Sequence, residues 1–392
     1  MTKLSLLDLC PVKEGGSATE TFAESVALAR CAERLGYHRY WLAEHHNMPG
    51  IASAATSILI GHVAAATRSI RVGAGGIMLP NHSPLVIAEQ FGTLATLYPG
   101  RIDLGVGRAP GTDQRTMLAL RRHLGTGVDS FPAEVQELIA YLGDPDPERA
   151  VHAVPGTGTH VPVWILGSSL FGAELAAALG LPYAFASHFA PDDLIAALAL
   201  YRRRFQPSAQ LDRPHVMLGL NVFAADTDAE AQLLFTSLEQ AFVNLRSGRP
   251  GRLPPPLAGY RDSLPPQYQG LLRHILRYAL VGGPDQVAAG LARFIAEHAP
   301  DEVMVTAQIF DPAARRKSHE ILARIHAGGW PPHGHKSLVR LVLCPAAGPV
   351  VGGAKGGRHD AIFSGSDAAR GWLFRAVRPA RQDPGGRRAG AA

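Results

Sequence analysis

The residues best placed to do chemistry stand in a few short clusters. Glu44-His45-His46 sets two adjacent imidazoles behind a carboxylate. Such a pair can accept protons, donate hydrogen bonds or bind metal. Neighbouring residues of an extended chain point to opposite faces, so one histidine can face a ligand while the other packs behind it. Metal is the weakest of these readings. No CxxC or HExxH accompanies the pair, no further ligand stands at useful spacing, and no metal site is expected. Gly75-Gly76 has no side chains and lets a flat ligand lie against the backbone, although an ordinary tight turn explains the same residues equally well.

Gly105-Val106-Gly107-Arg108 ends in a guanidinium, whose fork of donors suits a phosphate. It is not a dinucleotide fingerprint, because Pro110 stands where the third glycine belongs. Gly167-Ser168-Ser169 joins two hydroxyls to the start of a predicted helix. Helix-terminal N–H groups attract anions, but plain capping would use the same residues. Arg108 with Ser168 and Ser169 therefore suggests one phosphate gripped from neighbouring strands. His82 reads as a loop residue, and His188 as one that lines the ligand or packs behind it. No GxSxG or Ser-His-Asp pattern points to a serine hydrolase.

These clusters follow short apolar runs. Residues 70–74 run into Gly75-Gly76. Ser83-Pro84 then open a helix whose Ile87, Phe91, Leu94 and Tyr98 share one face, and Pro99-Gly100 stop it. Residues 102–106 form the next strand and end at Gly107-Arg108. Further strands are expected at residues 3–9, 39–43, 161–166, 183–186, 216–223 and 302–306, with helices between them. A short helix is expected over residues 271–280, and residues 248–268 read as a Pro/Gly/Arg-rich loop or insertion. Eight strands alternating with helices predict a (β/α)₈ barrel, with a doubly wound sheet as the other possibility. In both, ligands bind at the carboxyl ends of strands.

At 392 residues and 46% hydrophobic content, the chain has enough apolar material for a full core. No apolar run is long enough to suggest a membrane span or a signal peptide. Three scattered cysteines, Cys10, Cys31 and Cys344, do not make a disulfide framework and fit a reducing cytoplasm. The net charge of +5 misleads. Residues 328–392 hold ten Lys/Arg against three Asp/Glu, which leaves 28 against 30 for the remainder. The basic balance belongs to the tail and gives no reason to expect a nucleic-acid partner. We read two regions: a barrel domain over 1–327, and a disordered, non-barrel tail over 328–392 with 13 glycines and six prolines. A break this abrupt also fits a shifted reading frame.

The chain resembles the luciferase-like flavin monooxygenases, the superfamily of bacterial luciferase, over residues 3–326. The resemblance is densest in AEHHNMPGIASAATS, GAGGIMLPNHSPLVIAEQFGTLATLYPGRIDLGVGRAPGTDQR, LGSSLFGAELAAALGLPYAFASHFAP and DEVMVTAQIFD. It is closest to the single-chain bacterial subgroup that uses FMN. The resemblance implies a TIM barrel binding reduced FMN, supplied by a separate flavin reductase. Oxygen would add to the flavin, giving a flavin peroxide that oxygenates a small organic substrate. The family's catalytic histidine matches His45. Its non-prolyl cis peptide beneath the flavin matches Gly75-Gly76. Its phosphate-binding arginine matches Arg108, and its phosphate-binding hydroxyl segment matches Ser168-Ser169. His46, Gly107 and His188 fall to substrate contact or to support behind it. The family often forms dimers, so a homodimer is also implied. Luciferase has a reactive cysteine where this chain has Gly107, and an acidic residue where it has Ser168. Both departures speak against light emission. Two rivals share the barrel: a deazaflavin-dependent dehydrogenase, and a flavin-binding protein without catalysis.

Overall fold

The computed structural model describes residues 2–109, 114–120 and 130–328. The predicted tail, apart from Gly328, lies outside the described residues. The strands are β1 (Lys3–Asp8), β2 (Arg39–Leu42), β3 (Arg71–Met78), β4 (Ile102–Gly107), β5 (Val163–Gly167), β6 (Tyr183–Phe185), β7 (Val216–Ala224), β8 (Ala279–Gly282) and β9 (Glu302–Thr306). The helices are α1 (Ala18–Arg34), α2 (Thr56–Ala66), α3 (Pro84–Leu97), α4 (Gln114–Leu120), α5 (Phe131–Leu142), α6 (Leu170–Leu179), α7 (Leu194–Arg204), α8 (Asp228–Arg246), α9 (Tyr260–Ser263), α10 (Pro266–Ile275), α11 (Pro284–His298) and α12 (Pro312–His326).

β1 to β7 and β9 pair in parallel around a closed ring, sealed by β6 with β7 and by β9 with β1. Closure rules out the doubly wound sheet. β8 is a ninth strand, laid along the second half of β7 from Asn221 to Ala224. This corrects the helix expected over residues 271–280. Pro266 starts that helix five residues earlier, and it ends at Ile275. The four residues of β8 are too few to display an alternating pattern of their own. The segment expected to be loop likewise contains α9 and the start of α10.

Local chemistry fixes several helix ends. Ser17 and Glu20 close a reciprocal capping box on α1, with contacts of 2.9 and 3.2 Å. Thr227 caps α8 and Asp311 caps α12, the latter just ahead of Pro312.

Two polar layers hold the barrel together. Inside its lower end, Arg39 bridges Glu302 at 3.0 Å and Asp103 at 2.6 Å, and Arg71 grips the other Asp103 oxygen at 2.5 Å. Trp41 Nε1 donates to Asp103 as well, and Ser5 donates to Glu302. Above this layer Leu7, Trp41, Trp164, Met217 and Met304 plug the interior. Outside the ring, Asp8 accepts from Ser25 (2.6 Å) and Tyr40 (2.5 Å) and pairs with Arg315 of α12 at 2.8 Å. Burial opposes ionisation of Asp8, but Arg315 and the hydroxyls outweigh it and hold the carboxyl at about 2. Cys10 lies in the same knot, its thiol 3.2 Å from the Ser25 hydroxyl, and Cys31 is buried in α1. Burial and then the Asp8 charge push the Cys10 thiol well up, while burial and then Glu320 raise Cys31. Among the described residues, no helix is long and apolar enough to cross a membrane.

His319 of α12 makes the fold sensitive to acid. It is 1% exposed, and neither ring nitrogen has a partner. Burial, and then the Arg315 charge, push its pKa from 6.5 down to about 3. The unfolded chain binds a proton near pH 6.5 and the folded chain does not, so stability is complete above that pH and is lost as the pH falls through it. One such histidine costs about 2 kcal/mol between pH 7 and pH 5. Thermal melts at the two pH values should show a lower midpoint at pH 5. His319→Phe, a substitution that cannot titrate, should shrink the difference by about half, the rest belonging to His188, whose buried ring is held near 4; an unchanged pH slope would mean that His319 is not a cause.

Candidate active site

The floor of the barrel mouth is built by glycine. The Gly75–Gly76 peptide bond is cis, and the β3–β4 register shifts between Gly75 and Ile77. A Cβ on Gly75 would lie 2.8 Å from Leu7 Cδ1, and one on Gly76 would lie 2.6 Å from the Gly105 carbonyl oxygen. Neither position has room for a side chain. The backbone here lies directly on the Trp41–Leu7 plug, so a flat, side-chain-free shelf remains above it. Gly107, at the end of β4, is fully enclosed, and a Cβ there would meet Met78 Sδ at 3.2 Å.

Beside this shelf sits a buried carboxylate. Glu44 is 1% exposed, and its Oε1 accepts from His46 Nε2 at 2.7 Å and from His82 Nε2 at 2.9 Å. Its Oε2 accepts the Met78 N–H at 3.0 Å, and its own N–H reaches the Gly76 carbonyl at 3.4 Å. Burial alone would raise this carboxyl. The hydrogen bonds from His46 and His82, with the His82 charge and the Met78 N–H, more than reverse that and hold it at about 2. One anion thus ties the end of β2 to the shelf and to the loop after β3. The sequence shows no further ligand near the histidine pair, but folding supplies His82, and the three groups place their ligand atoms within 4.8 Å of one another. Both ring nitrogens are already at hydrogen-bond distance from a single oxygen, which is the arrangement of two donors on one acceptor.

His45 follows Glu44 and is half-buried at the mouth. Its charge reaches His188, which follows β6 on the other side of the ring. Burial first, and then His45, push the His188 pKa down to about 4. The two histidines flank the opening above the plug.

A third corner carries the anion-binding features. β4 and β5 are neighbours, with Gly107 opposite Leu166, so Arg108 and Ser168 leave adjacent strands at the same height. The Arg108 guanidinium lies 4.1 Å from the centre of the Phe171 ring, in the first turn of α6. Ser169 is the N-cap of α6, yet its hydroxyl makes no capping bond, so the N–H groups of that turn stay open to a ligand. Its carbonyl accepts instead from Tyr183 at 3.1 Å.

Folding therefore brings His45, Gly75, Gly76, Gly107, Arg108, Ser168, Ser169 and His188 to one end of the barrel. His46 turns away from the opening, to Glu44. Three contributors were not singled out in the sequence: Glu44 as a hub, His82 as its partner, and Phe171 as the platform for Arg108. Glu44 adjoins the histidine pair, which is a local signal. His82 and Phe171 meet their partners only through strand order.

A family model described as luciferase-like monooxygenase matches residues 2–301. A protein named luciferase-like monooxygenase from Escherichia coli (strain K12) is 58% identical over 317 residues, which is 81% of this chain and 95% of that protein. N-acetyl-S-alkylcysteine monooxygenase of Bacillus subtilis (strain 168) is 33% identical over 333 residues, 82% of this chain and 98% of that one. Among solved structures, apo-MsnO8 superposes with a TM-score of 0.77 at 37% identity, covering 83% of this chain and 99% of that one. The oxygenating constituent of 3,6-diketocamphane monooxygenase from Pseudomonas putida, solved in complex with FMN, shares the fold with a TM-score of 0.62 at 18% identity, covering 82% and 97%.

Proposed function

The chain belongs to the luciferase-like monooxygenase family, and on that premise we propose that it oxygenates a small organic substrate with reduced FMN and molecular oxygen. The observation that carries this reading is a shelf and an anion corner at one barrel end. A planar ring fits the side-chain-free shelf at Gly75–Gly76, where a Cβ would collide with the plug at the first glycine and with the Gly105 backbone at the second. A phosphate fits Arg108 together with Ser168, Ser169 and the uncapped first turn of α6. When bound, reduced FMN supplies the electrons that activate oxygen. His45 holds or passes the proton that oxygen transfer requires. Glu44 keeps His45 and the shelf in fixed relation, and the apolar plug below excludes water from beneath the ring. The flavin is reduced elsewhere, by a separate flavin reductase, as the resemblance to the family implies. Unpaired Cys10 and Cys31 suit the cytosol.

Anaerobic calorimetry with dithionite-reduced FMN tests the reading. Saturable heat, followed by oxygen uptake above the free-flavin background, is expected. No heat would remove FMN from the site. Tighter binding of reduced F420 would make the protein a deazaflavin dehydrogenase, and binding without oxygen uptake would make it a carrier.

A second copy of the chain is part of the proposal. α2 and α3 pack side by side, with Gly61 against Leu94. Their outer surface leaves Ile58 71%, Leu97 62% and Val86 44% exposed. An apolar face of this kind is a natural subunit contact. Light scattering should give a dimer for the wild type and a monomer for Ile58→Glu; a monomeric wild type would refute the contact.

A further inference from the structure

We propose that His188 is locked as the Nε2–H tautomer and offers that N–H to an uncharged carbonyl oxygen in the barrel mouth. The inference builds on the FMN reading for its ligand, but its geometry stands alone. The backbone around His188 is clamped to β7 at two points. Ser187 Oγ donates to the Gly219 carbonyl at 2.6 Å, and Asn221 Nδ2 donates to the His188 carbonyl at 2.5 Å. The ring stands edge-on to Phe189, 4.8 Å between centres and 87° between planes. Its Nδ1 edge presses on the strand: a Cβ at Gly219 would lie 2.1 Å from Nδ1. Glycine inside a strand is unfavourable unless something approaches the backbone, and here the imidazole does.

This contact decides where the proton sits. Nδ1 is enclosed and has no partner. A proton there would be a buried donor facing a Cα, without an acceptor. A bare lone pair at the same point meets only the Gly219 Cα–H, a weak but attractive contact. The neutral ring therefore carries its hydrogen on Nε2. The cation needs hydrogen on both nitrogens and is disfavoured by the same contact, in line with the low pKa. Nε2 is not among the enclosed atoms, and the ring keeps partial exposure on that side. A neutral donor held this way offers an anion no charge attraction, which Arg108 would supply at its own corner. It suits a carbonyl oxygen, either of the flavin ring or of the substrate.

Nitrogen-15 NMR of the full chain with labelled histidine tests this. One ring, identified by its loss in His188→Gln, should show protonated Nε2 and bare Nδ1 throughout pH 5–8. Gly219→Ala should disturb the same signal by displacing the ring, which keeps the assignment secure if His188→Gln folds poorly. Addition of oxidised FMN separates the two oxygens. A shift of the Nε2 signal, with about tenfold weaker FMN binding in His188→Phe, assigns the donor to the flavin. An unmoved signal with unchanged FMN affinity assigns it to the substrate. Protonated Nδ1, or a ring that titrates between pH 5 and 8, overturns the proposal. Absence of FMN binding would sink the functional reading while leaving the tautomer result intact.

Discussion

Replacing His45 with alanine should lower turnover by about 10²–10⁴-fold while leaving the affinity for reduced FMN within a few fold. The split follows from where His45 stands. It sits at the opening beside the shelf, away from the Arg108–α6 corner that would hold the phosphate, so its loss removes proton handling and little binding. Steady-state oxygen uptake and calorimetry on the same preparation measure the two effects. Excess hydrogen peroxide release should accompany the loss, because reduced flavin still meets oxygen while transfer to substrate fails. Equal losses in turnover and affinity would make His45 a binding residue.

Replacing Arg108 with alanine should do the reverse. FMN affinity should fall by about 10–100-fold, the worth of a charge-assisted contact to phosphate. Riboflavin, which has the ring and lacks the phosphate, provides the control. Its affinity should be nearly the same in wild type and variant, so the preference for FMN over riboflavin should collapse. Arg108→Lys keeps the charge but loses the planar fork that lies on Phe171, and should recover only part of that preference. If riboflavin weakened as much as FMN, Arg108 would be holding the ring or the fold.

The barrel was legible because most of its ring strands are short apolar runs with a glycine or proline close to one end. Arg108 and Ser168-Ser169 could be found for the same reason, since each stands where a strand ends; Gly75-Gly76 was found by its glycines alone, because β3 runs on through them to Met78. β8 was not legible. Its four residues follow a helix directly, and only the long β7 gives them a partner. The role of Glu44 was half visible, since it adjoins His45-His46. Its second imidazole was hidden, because nothing in Pro80-Asn81-His82-Ser83-Pro84 says which carboxylate the loop will meet. Gly219 was equally silent. A glycine within an apolar strand reads as a weakness, and its reason is the imidazole set against it from the neighbouring strand end.

A protein that handles oxygen beside a reduced cofactor is exposed to its own leakage. Damage to sulfur by peroxide proceeds through the thiolate, and so depends on access and on ionisation together. Cys10 and Cys31 deny both: each is enclosed, and each is kept protonated by its surroundings. The knot that staples α12 to the first strand also keeps a sulfur out of reach of oxidant, which would favour long service if the proposed oxygen chemistry leaks.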